Sequence, residues 1–144
     1  MKNIFLFLVV SILFVCCDIR RKDKVADGRL TMEEMAKLDT TAVQMIDSVY
    51  NFGTAAEGEK IAYNFRFKNT GKKPLIVTNT SASCGCTVPE KPEKPILPGE
   101  TAFIKVVFNS MGKVGHNEKT ITVTSNANPA FPSLILKGEV TTVK

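Results

Sequence analysis

The strongest constraint on the fold of this chain is an alternation of apolar and polar residues in several short runs. In the run IAYNFRFK, every second residue is apolar or aromatic: Ile61, Tyr63, Phe65 and Phe67. Successive side chains of a β-strand point to opposite faces, so this run predicts a strand with one buried face. The same alternation predicts strands in TAFIKVVF, EKTITVTS and SLILKGEV, with inward side chains at Ala102, Ile104, Val106, Phe108, Ile121, Val123, Leu134, Leu136 and Val140.

Turn signals separate the predicted strands at intervals of about ten residues. The segments Asn69–Pro74, Pro98–Glu100 and Asn109–Asn117 contain Gly, Pro or Asn, which favour turns. Many short strands with regular turns predict an all-β, immunoglobulin-like antiparallel sandwich over residues 46–144. The Cys and Trp spacing of antibody domains is absent, because the chain has no Trp. The core is therefore expected to hold without a disulfide between the sheets.

The N-terminus has the layout of an export signal. Lys2 precedes an apolar run from Ile4 to Val15, and this run ends at Cys16 and Cys17. The run is short for a membrane-spanning helix, and a cysteine directly after it resembles the processing site of bacterial lipoproteins. We expect residues 1–16 to be a signal peptide and Cys17 to be acylated, with Cys16 as the alternative. The expected location is the cell envelope, where the lipid holds the exported domain on a membrane at the periplasmic face or the cell surface.

Residues 17–45 are expected to form a tether between the lipid and the sandwich. Charged and polar residues dominate this segment, and apolar periodicity is weak. The stretch TMEEMAKL predicts a short helix, since Thr31 is a suitable N-cap and Glu34 follows at the spacing of a capping box. About two turns of helix are marginal alone, so the tether is expected to be flexible or partly helical.

Composition and motifs argue against most kinds of activity. The net charge of +5 is modest, and no stripe of Lys and Arg interleaved with aromatic residues suggests nucleic-acid binding. No Gly-rich phosphate loop and no Ser/His/Asp arrangement is evident in the sequence. We therefore predict a protein that is not an enzyme, binds no nucleic acid and takes no small-molecule substrate.

The stretch SASCGCTVPE carries the residues most suited to chemistry. Cys84 and Cys86 lie one residue apart, and an extended strand places both sulfurs on one face. A disulfide between them is geometrically possible, because Gly85 can adopt backbone angles that other residues avoid and a bend there brings the pair closer. Such a bond closes a very short loop, so it would stabilise the fold little and would suit thiol-redox exchange better.

Two other interpretations of the cysteine pair stay open. Two thiolates on one face suit copper or zinc, and the strand order places a loop with His116 and Met111 at the same end of the sandwich. The predicted metal ligands are then Cys84, Cys86, His116 and Met111; without this site no cofactor is expected. In the third interpretation, the two cysteines only fill a tight bend.

Six stretches, in order, carry a resemblance to a known family: FGTAAEGEK, FRFKNTGKKPLIV, SCGCTVPE, ILPGETAFIKVVFNS, ITVTSNANP and LKGEV. Over about residues 48–141, the chain resembles a bacterial domain family of unknown function. This Ig-like family is akin to the Hydin and major-sperm-protein domains and has a Ser-Cys-Gly-Cys-Thr motif. The resemblance implies an exported Ig-like lipoprotein and brings no established activity.

The predicted function combines these observations. We expect a lipid-anchored envelope domain that has a structural role or binds another envelope protein. The alternative is an extracytoplasmic thiol-redox or copper/zinc-binding protein that uses Cys84 and Cys86.

Overall fold

The computed structural model describes Thr31, Glu34 and residues 39–142 of the chain. The predicted signal peptide, Cys16, Cys17 and most of the predicted tether lie outside the described residues. The described part contains eight β-strands: β1 (Val43–Met45), β2 (Val49–Ala56), β3 (Lys60–Asn69), β4 (Val77–Ala82), β5 (Thr87–Glu90), β6 (Thr101–Asn109), β7 (Gly115–Ser125) and β8 (Leu134–Thr141). Within this part, no helix has the length and apolarity needed to cross a membrane.

The strands form two four-stranded sheets around one core. Sheet I has the order β1-β3-β6-β5, and sheet II has the order β2-β8-β7-β4. The predicted all-β, immunoglobulin-like sandwich is confirmed. One pairing departs from the antiparallel arrangement, because β2 runs parallel to β8 with Tyr50 opposite Leu136. The chain crosses from β1 in sheet I to β2 in sheet II through the short segment 46–48 without reversing, so β2 and β8 run in the same direction.

The core consists of the residues that the alternation predicted. Phe65, Phe67 and Phe108 are fully buried, as expected from their positions on β3 and β6. Tyr63 and Ala102 are partly buried and pack against this core. The other predicted inward residues are buried: Ile61, Ile104, Val106, Ile121, Val123, Leu134, Leu136 and Val140. Burial of a large apolar side chain stabilises a fold by about 1.5–3 kcal/mol, so this apolar set accounts for the pairing of the two sheets.

The sandwich begins earlier in the chain than predicted. β1 lies at Val43–Met45, inside the predicted tether of residues 17–45. Ahead of β1, the Thr41 N–H donates to the Asn126 carbonyl (3.1 Å), and Thr41 Oγ1 donates to Asn69 Oδ1 (3.0 Å). The predicted boundary at residue 46 is therefore wrong. A strand of three residues is too short for its alternation to be recognised in the sequence.

The predicted capping box is present in the tether. The Glu34 N–H donates to Thr31 Oγ1 (3.3 Å), and the Thr31 N–H donates to Glu34 Oε2 (2.9 Å). The hydrogen bond from the Thr31 backbone lowers the pKa of Glu34, because it favours the ionised carboxylate. The rest of the predicted helix lies outside the described residues.

The sandwich has two ends with different side chains. The disulfide end holds Cys84 and Cys86, and the amide end holds the buried amides of Asn69 and Asn126. β3 runs from the disulfide end to the amide end, and β6 returns antiparallel to it, with Lys60 opposite Asn109 and Lys68 opposite Thr101. This antiparallel pair therefore fixes the separation of the two ends.

Candidate functional site

The Cys84-Gly85-Cys86 segment connects the two sheets at one edge of the sandwich. It follows β4, an edge strand of sheet II, and precedes β5, an edge strand of sheet I. The two cysteines form a disulfide, with their Cα atoms 5.4 Å apart. This separation is within the usual range for disulfides and shorter than the spacing of alternate residues in an extended strand. The segment is therefore a bend.

The bend does not depend on the special backbone freedom of glycine. Gly85 is not among the glycines with positive φ, and a Cβ atom added there meets no atom within 4 Å. The expected bend is present, but the positive φ that glycine can adopt is not used at Gly85. The bend is formed within ordinary backbone angles, and the absent side chain leaves the surface beside the disulfide open.

Backbone hydrogen bonds attach the bend to both sheets. The Ser83 N–H donates to the Thr120 carbonyl of β7 (2.9 Å), and the Asn109 N–H of β6 donates to the Cys86 carbonyl (2.9 Å). Within the bend, the Thr87 N–H donates to the Cys84 carbonyl (3.2 Å). Both ends of the short loop are therefore fixed, and the disulfide has a defined position relative to the sheets.

The two sulfurs have different surroundings. Thr87 Oγ1 lies 3.5 Å from Cys84 Sγ, and Thr87 is only 4% exposed. A disulfide sulfur carries no hydrogen, so the Thr87 hydroxyl is the donor in this contact. Cys86, by contrast, contributes to the wall of a groove on the outer face of sheet I. Sequence reasoning did not single out Thr87, although it directly follows Cys86 in the motif.

The groove beside Cys86, called the disulfide groove, has a volume of about 450 Å³ and an apolar floor. Its lining includes Cys86, Val88, Val107, Met111, Lys60 and Glu90. Val88 on β5 lies opposite Val107 on β6, which in turn lies opposite Ala62 on β3. Three strands thus present one apolar row on the outer face of sheet I, and Phe103 of β6 is a further exposed apolar residue on this face. Val88 is 57% exposed and Met111 is 64% exposed, so the row is open to solvent.

Charged side chains border the apolar row. Glu90 pairs with Lys105 at an N–O distance of 3.1 Å, two register positions beyond the row and on the same face. Lys60 lies at the other side, in register with Asn109. An apolar centre with a polar rim is the usual anatomy of a protein-binding surface.

The free edge of β5 is closed to an added strand. Pro89 has no N–H to donate, and its carbonyl accepts a hydrogen bond from Thr80 Oγ1 (3.4 Å). The Thr87 N–H is already used in the bend by the Cys84 carbonyl. A partner at this place therefore contacts the face of sheet I rather than pairing with β5.

The structure brings only part of the predicted metal set together. Met111 and Cys86 line the same groove, as expected from the strand order. His116 is not in a loop but in β7, where it lies opposite Glu139 with a distance of 3.8 Å between His116 Nδ1 and Glu139 Oε2. Its side chain is 70% exposed. Among the residues that the structure describes, no group of three or more His, Cys, Asp or Glu side chains is placed to share a metal ion.

The disulfide also removes the two thiolates that a soft metal ion needs. The predicted Cys84, Cys86 and His116 cluster is therefore not formed in this state. Copper or zinc binding stays a prediction for the reduced pair. The expectation that the chain is not an enzyme and has no further cofactor also stays a prediction.

Comparison with known protein families identifies the chain. Residues 43–140 match the family described as "Protein of unknown function (DUF1573)". The chain belongs to this family. The match covers β1 to β8 almost completely, including the disulfide bend and the groove. The family description assigns no activity, and no curated protein sequence matches the chain.

Solved structures with a similar fold include three proteins of different kinds. A protein of unknown function from Porphyromonas gingivalis W83 has a TM-score of 0.61 at 15% identity, and the match covers 79% of this chain and 51% of that chain. The ASH / PapD-like domain of human CEP192 (PapD-like domain 7) has a TM-score of 0.58 at 11% identity, covering 73% and 89%. The YadV chaperone has a TM-score of 0.50 at 16% identity, covering 71% and 53%.

These likenesses establish the fold of this family member as a PapD-like, Ig-like sandwich. The chain spans about half the length of the Porphyromonas gingivalis protein. At identities of this level a common fold does not carry a common function, so the function is argued from the site itself.

Proposed function

We propose that this member of the family is an exported, lipid-anchored module that binds another envelope protein through the outer face of sheet I. The observation that carries the proposal is the apolar row of Ala62, Val107 and Val88 on this face, in which Val88 and Val107 line the disulfide groove. Isolated exposed apolar residues are common, but a contiguous row across three strands with a charged rim is typical of an interaction surface.

The membrane anchor in this proposal is the lipid on Cys17. The supporting observation is the order of Lys2, an apolar run and the two cysteines at the N-terminus. An acylated Cys17 holds the sandwich on the membrane surface, since each buried methylene contributes about 0.8 kcal/mol. The disulfide of the Ser-Cys-Gly-Cys-Thr motif is consistent with an exported protein, because disulfides persist outside the cytoplasm.

A pair of N-terminal variants tests the anchor. Cys17→Ala is expected to move the protein from the membrane fraction to the soluble fraction or to block its processing, whereas Cys16→Ala leaves it membrane-bound. The measurement is fractionation of cells followed by intact mass of the purified chain. If Cys17→Ala keeps the membrane location and the acylated mass, Cys17 is not the anchor.

A second pair of variants tests the binding face. Val88→Lys places a charge in the apolar row, and Leu97→Lys does the same at a residue of similar exposure (53%) outside the groove. Chemical crosslinking in intact cells, followed by mass spectrometry, is expected to recover one envelope protein with the wild type and with Leu97→Lys but not with Val88→Lys. Equal recovery with both variants would exclude the groove as the binding face.

A second candidate function is thiol-redox exchange at Cys84 and Cys86. The observation that favours it is the position of the disulfide, which lies at the wall of an open groove and closes a loop with a sequence separation of only 2. A disulfide that closes so short a loop adds little to stability, and an accessible disulfide of this kind is suited to exchange.

Intact mass of the full chain distinguishes the redox candidate from the other interpretations. Under native conditions, two alkylations at Cys84 and Cys86 are expected only after reduction, with no metal bound. Copper or zinc that binds the reduced chain and is lost in Cys86→Ser would favour the metal alternative instead. If the reduced thiols react with the alkylating reagent only after unfolding, the pair is buried and its role is packing.

A further inference from the structure

The two sulfurs of the disulfide lie in unequal surroundings, and this inequality has a chemical consequence. Both cysteines are half-buried and Cys86 also packs against the core, but Cys86 contributes to the groove wall and Cys84 does not. Cys84 Sγ instead receives the hydrogen bond of a buried hydroxyl, Thr87 Oγ1, at 3.5 Å. In thiol–disulfide exchange, the rate depends on which sulfur is accessible and on how well the other sulfur carries negative charge as it leaves.

We infer that Cys86 is the sulfur attacked by a substrate thiolate, that Cys84 is the leaving sulfur, and that Thr87 stabilises the leaving thiolate. The substrate class is a dithiol polypeptide, which the pair oxidises. This inference rests on the redox candidate proposed above. It goes further by assigning a direction of attack and a role to Thr87.

The groove supplies the path of attack. A thiolate attacks a disulfide along the line of the two sulfurs, from the side opposite the leaving sulfur. The groove opens beside Cys86, between the apolar Val88 and Val107 and the flexible Met111. Lys60 and Glu90 both line this groove; because Glu90 is paired with Lys105, the positive charge of Lys60 favours the approach of an anionic thiolate.

The Thr87 hydroxyl favours the departure of Cys84 over that of Cys86. It is buried, and Cys84 Sγ is the partner that the structure gives it among the described residues. A hydroxyl that donates to an ionised acceptor makes a stronger bond than one that donates to a neutral acceptor. The contact therefore strengthens as negative charge develops on Cys84.

The exchange balances in two steps. The first substrate thiolate bonds to Cys86, the Cys84–Cys86 bond breaks, and Cys84 leaves as a thiolate that takes a proton. The second substrate thiol then loses its proton, attacks the substrate sulfur of the mixed disulfide, and releases Cys86 as a thiolate. The substrate dithiol is oxidised to a disulfide, and the Cys84–Cys86 disulfide is reduced to two thiols.

The test uses glutathione as the probe thiol and the full oxidised chain as the target. The reaction is stopped with N-ethylmaleimide, which caps the released thiolate, and peptide fragmentation then assigns each group to a cysteine. Glutathione is expected on Cys86 and the maleimide on Cys84, with a preference of about tenfold, the size that one hydrogen bond to a charged group provides.

Variants at Thr87 separate its role from a packing effect. Thr87→Val keeps the side-chain shape but removes the hydrogen-bond donor. It is expected to slow the reaction and to reduce the preference for Cys86, so that the two sulfurs are attacked more equally. Thr87→Ser restores the hydroxyl and is expected to restore the preference. Thr101→Val is the matched control, because it makes the same change at an exposed position of β6 at the amide end, away from the disulfide. Circular dichroism verifies that each variant is folded.

The outcomes distinguish the inference from the function on which it rests. If neither cysteine reacts in the folded chain, although both react in urea, the redox candidate itself is wrong. If glutathione is found mainly on Cys84 or equally on both, exchange occurs but the direction inferred here is wrong. If Thr87→Val reacts as the wild type does, Thr87 does not stabilise the leaving sulfur.

Discussion

The two ends of the sandwich are joined by different kinds of bonds. At the disulfide end, the covalent link spans a sequence separation of 2. At the amide end, Asn126 is hydrogen-bonded to segments far away in sequence: Nδ2 donates to the Asp39 carbonyl (2.7 Å), 87 residues earlier, and Oδ1 accepts from the Ile76 N–H (2.8 Å), 50 residues earlier. The long-range side-chain links of the amide end are made by amides, whereas the covalent link of the disulfide end is local and a buried hydroxyl, Ser110 Oγ, supplies a long-range link there to the Ala56 and Glu59 carbonyls.

Asn69 makes the same kind of network at the amide end. It is fully buried. Its Nδ2 donates to the carbonyls of Lys73 (2.8 Å) and Ile96 (2.9 Å), and its Oδ1 accepts from Gly71 N–H (3.0 Å) and Thr41 Oγ1. Every hydrogen-bonding position of this amide is used. One side chain thus holds the turn after β3, the segment before β6 and the segment before β1.

The two ends of the sandwich are expected to have different roles. Links between distant segments stabilise the folded topology, because they form only when the whole sandwich is assembled. A link between near neighbours in sequence constrains the unfolded chain little. Stability is therefore expected to depend on the amide end, and chemistry and binding on the disulfide end.

The largest effect is expected for Asn69→Ala. The change removes four hydrogen bonds of a fully buried amide and leaves the buried Thr41 hydroxyl without its partner, whereas the Ile96 carbonyl and the Gly71 N–H keep their bonds to Leu75 and Ala42. Each lost hydrogen bond costs about 0.5–1.5 kcal/mol, and a buried polar group left unpaired costs about 1–3 kcal/mol. We expect the free energy of unfolding to fall by roughly 3 kcal/mol or more. Urea unfolding followed by circular dichroism measures it. Asn64→Ala, at an exposed position of the same strand, is the control and is expected to change stability by no more than about 0.5 kcal/mol.

A smaller effect on stability is expected when the disulfide is removed. For a loop of three residues, the chain-entropy argument gives a contribution of about 1.5 kcal/mol at most. The double variant Cys84→Ser and Cys86→Ser is therefore expected to have an unfolding midpoint in urea closer to that of the wild type than the Asn69→Ala variant has. It is also expected to lose all thiol exchange. A loss of stability larger than that of Asn69→Ala would overturn the comparison of the two ends.

The sequence predicted the core better than the links at the ends. The alternation that placed Phe65, Ile104 and Leu136 in the core is a local property, since burial in a strand depends only on which face a residue occupies. The roles of Asn69 and Asn126 were not predicted, because the segments that they join, at Ile96 and Asp39, lie tens of residues away in the sequence. The parallel pairing of β2 was missed for the same reason.

The candidate site was predicted in outline only. The Cys84 and Cys86 pair and its location at the same end as Met111 follow from strand order, which sequence reveals. The backbone angles at Gly85 were not predicted, because composition alone does not show which glycines have positive φ. His116 was placed in a loop because β7 extends further than its alternation suggests. The donor Thr87 is recognisable only once the bend brings its hydroxyl to Cys84.

The smallest effect concerns Asp47, which fastens the edge strand β1 to β3 between the two ends. Arg66 donates to both of its carboxylate oxygens, through Nε (2.8 Å) and Nη2 (2.9 Å). These hydrogen bonds from Arg66 lower the pKa of Asp47 in the folded chain. The unfolded carboxyl, with a pKa of about 4, binds a proton first as the pH falls.

The stabilisation from Asp47 is therefore complete above about pH 4 and is lost as the pH falls through the lowered pKa of the folded state. Near neutral pH, Asp47→Asn is expected to be less stable than the wild type, and its loss of stability is expected to be smaller than that of the disulfide variant. The difference in stability between Asp47→Asn and the wild type is expected to shrink below about pH 4. Urea unfolding across this pH range measures both curves. In the double variant Asp47→Asn and Arg66→Gln, the loss is expected to match that of Asp47→Asn alone, because the two side chains act as one pair. Additive losses, or curves that stay parallel in acid, would mean that β1 is held by the amide end and not by this ion pair.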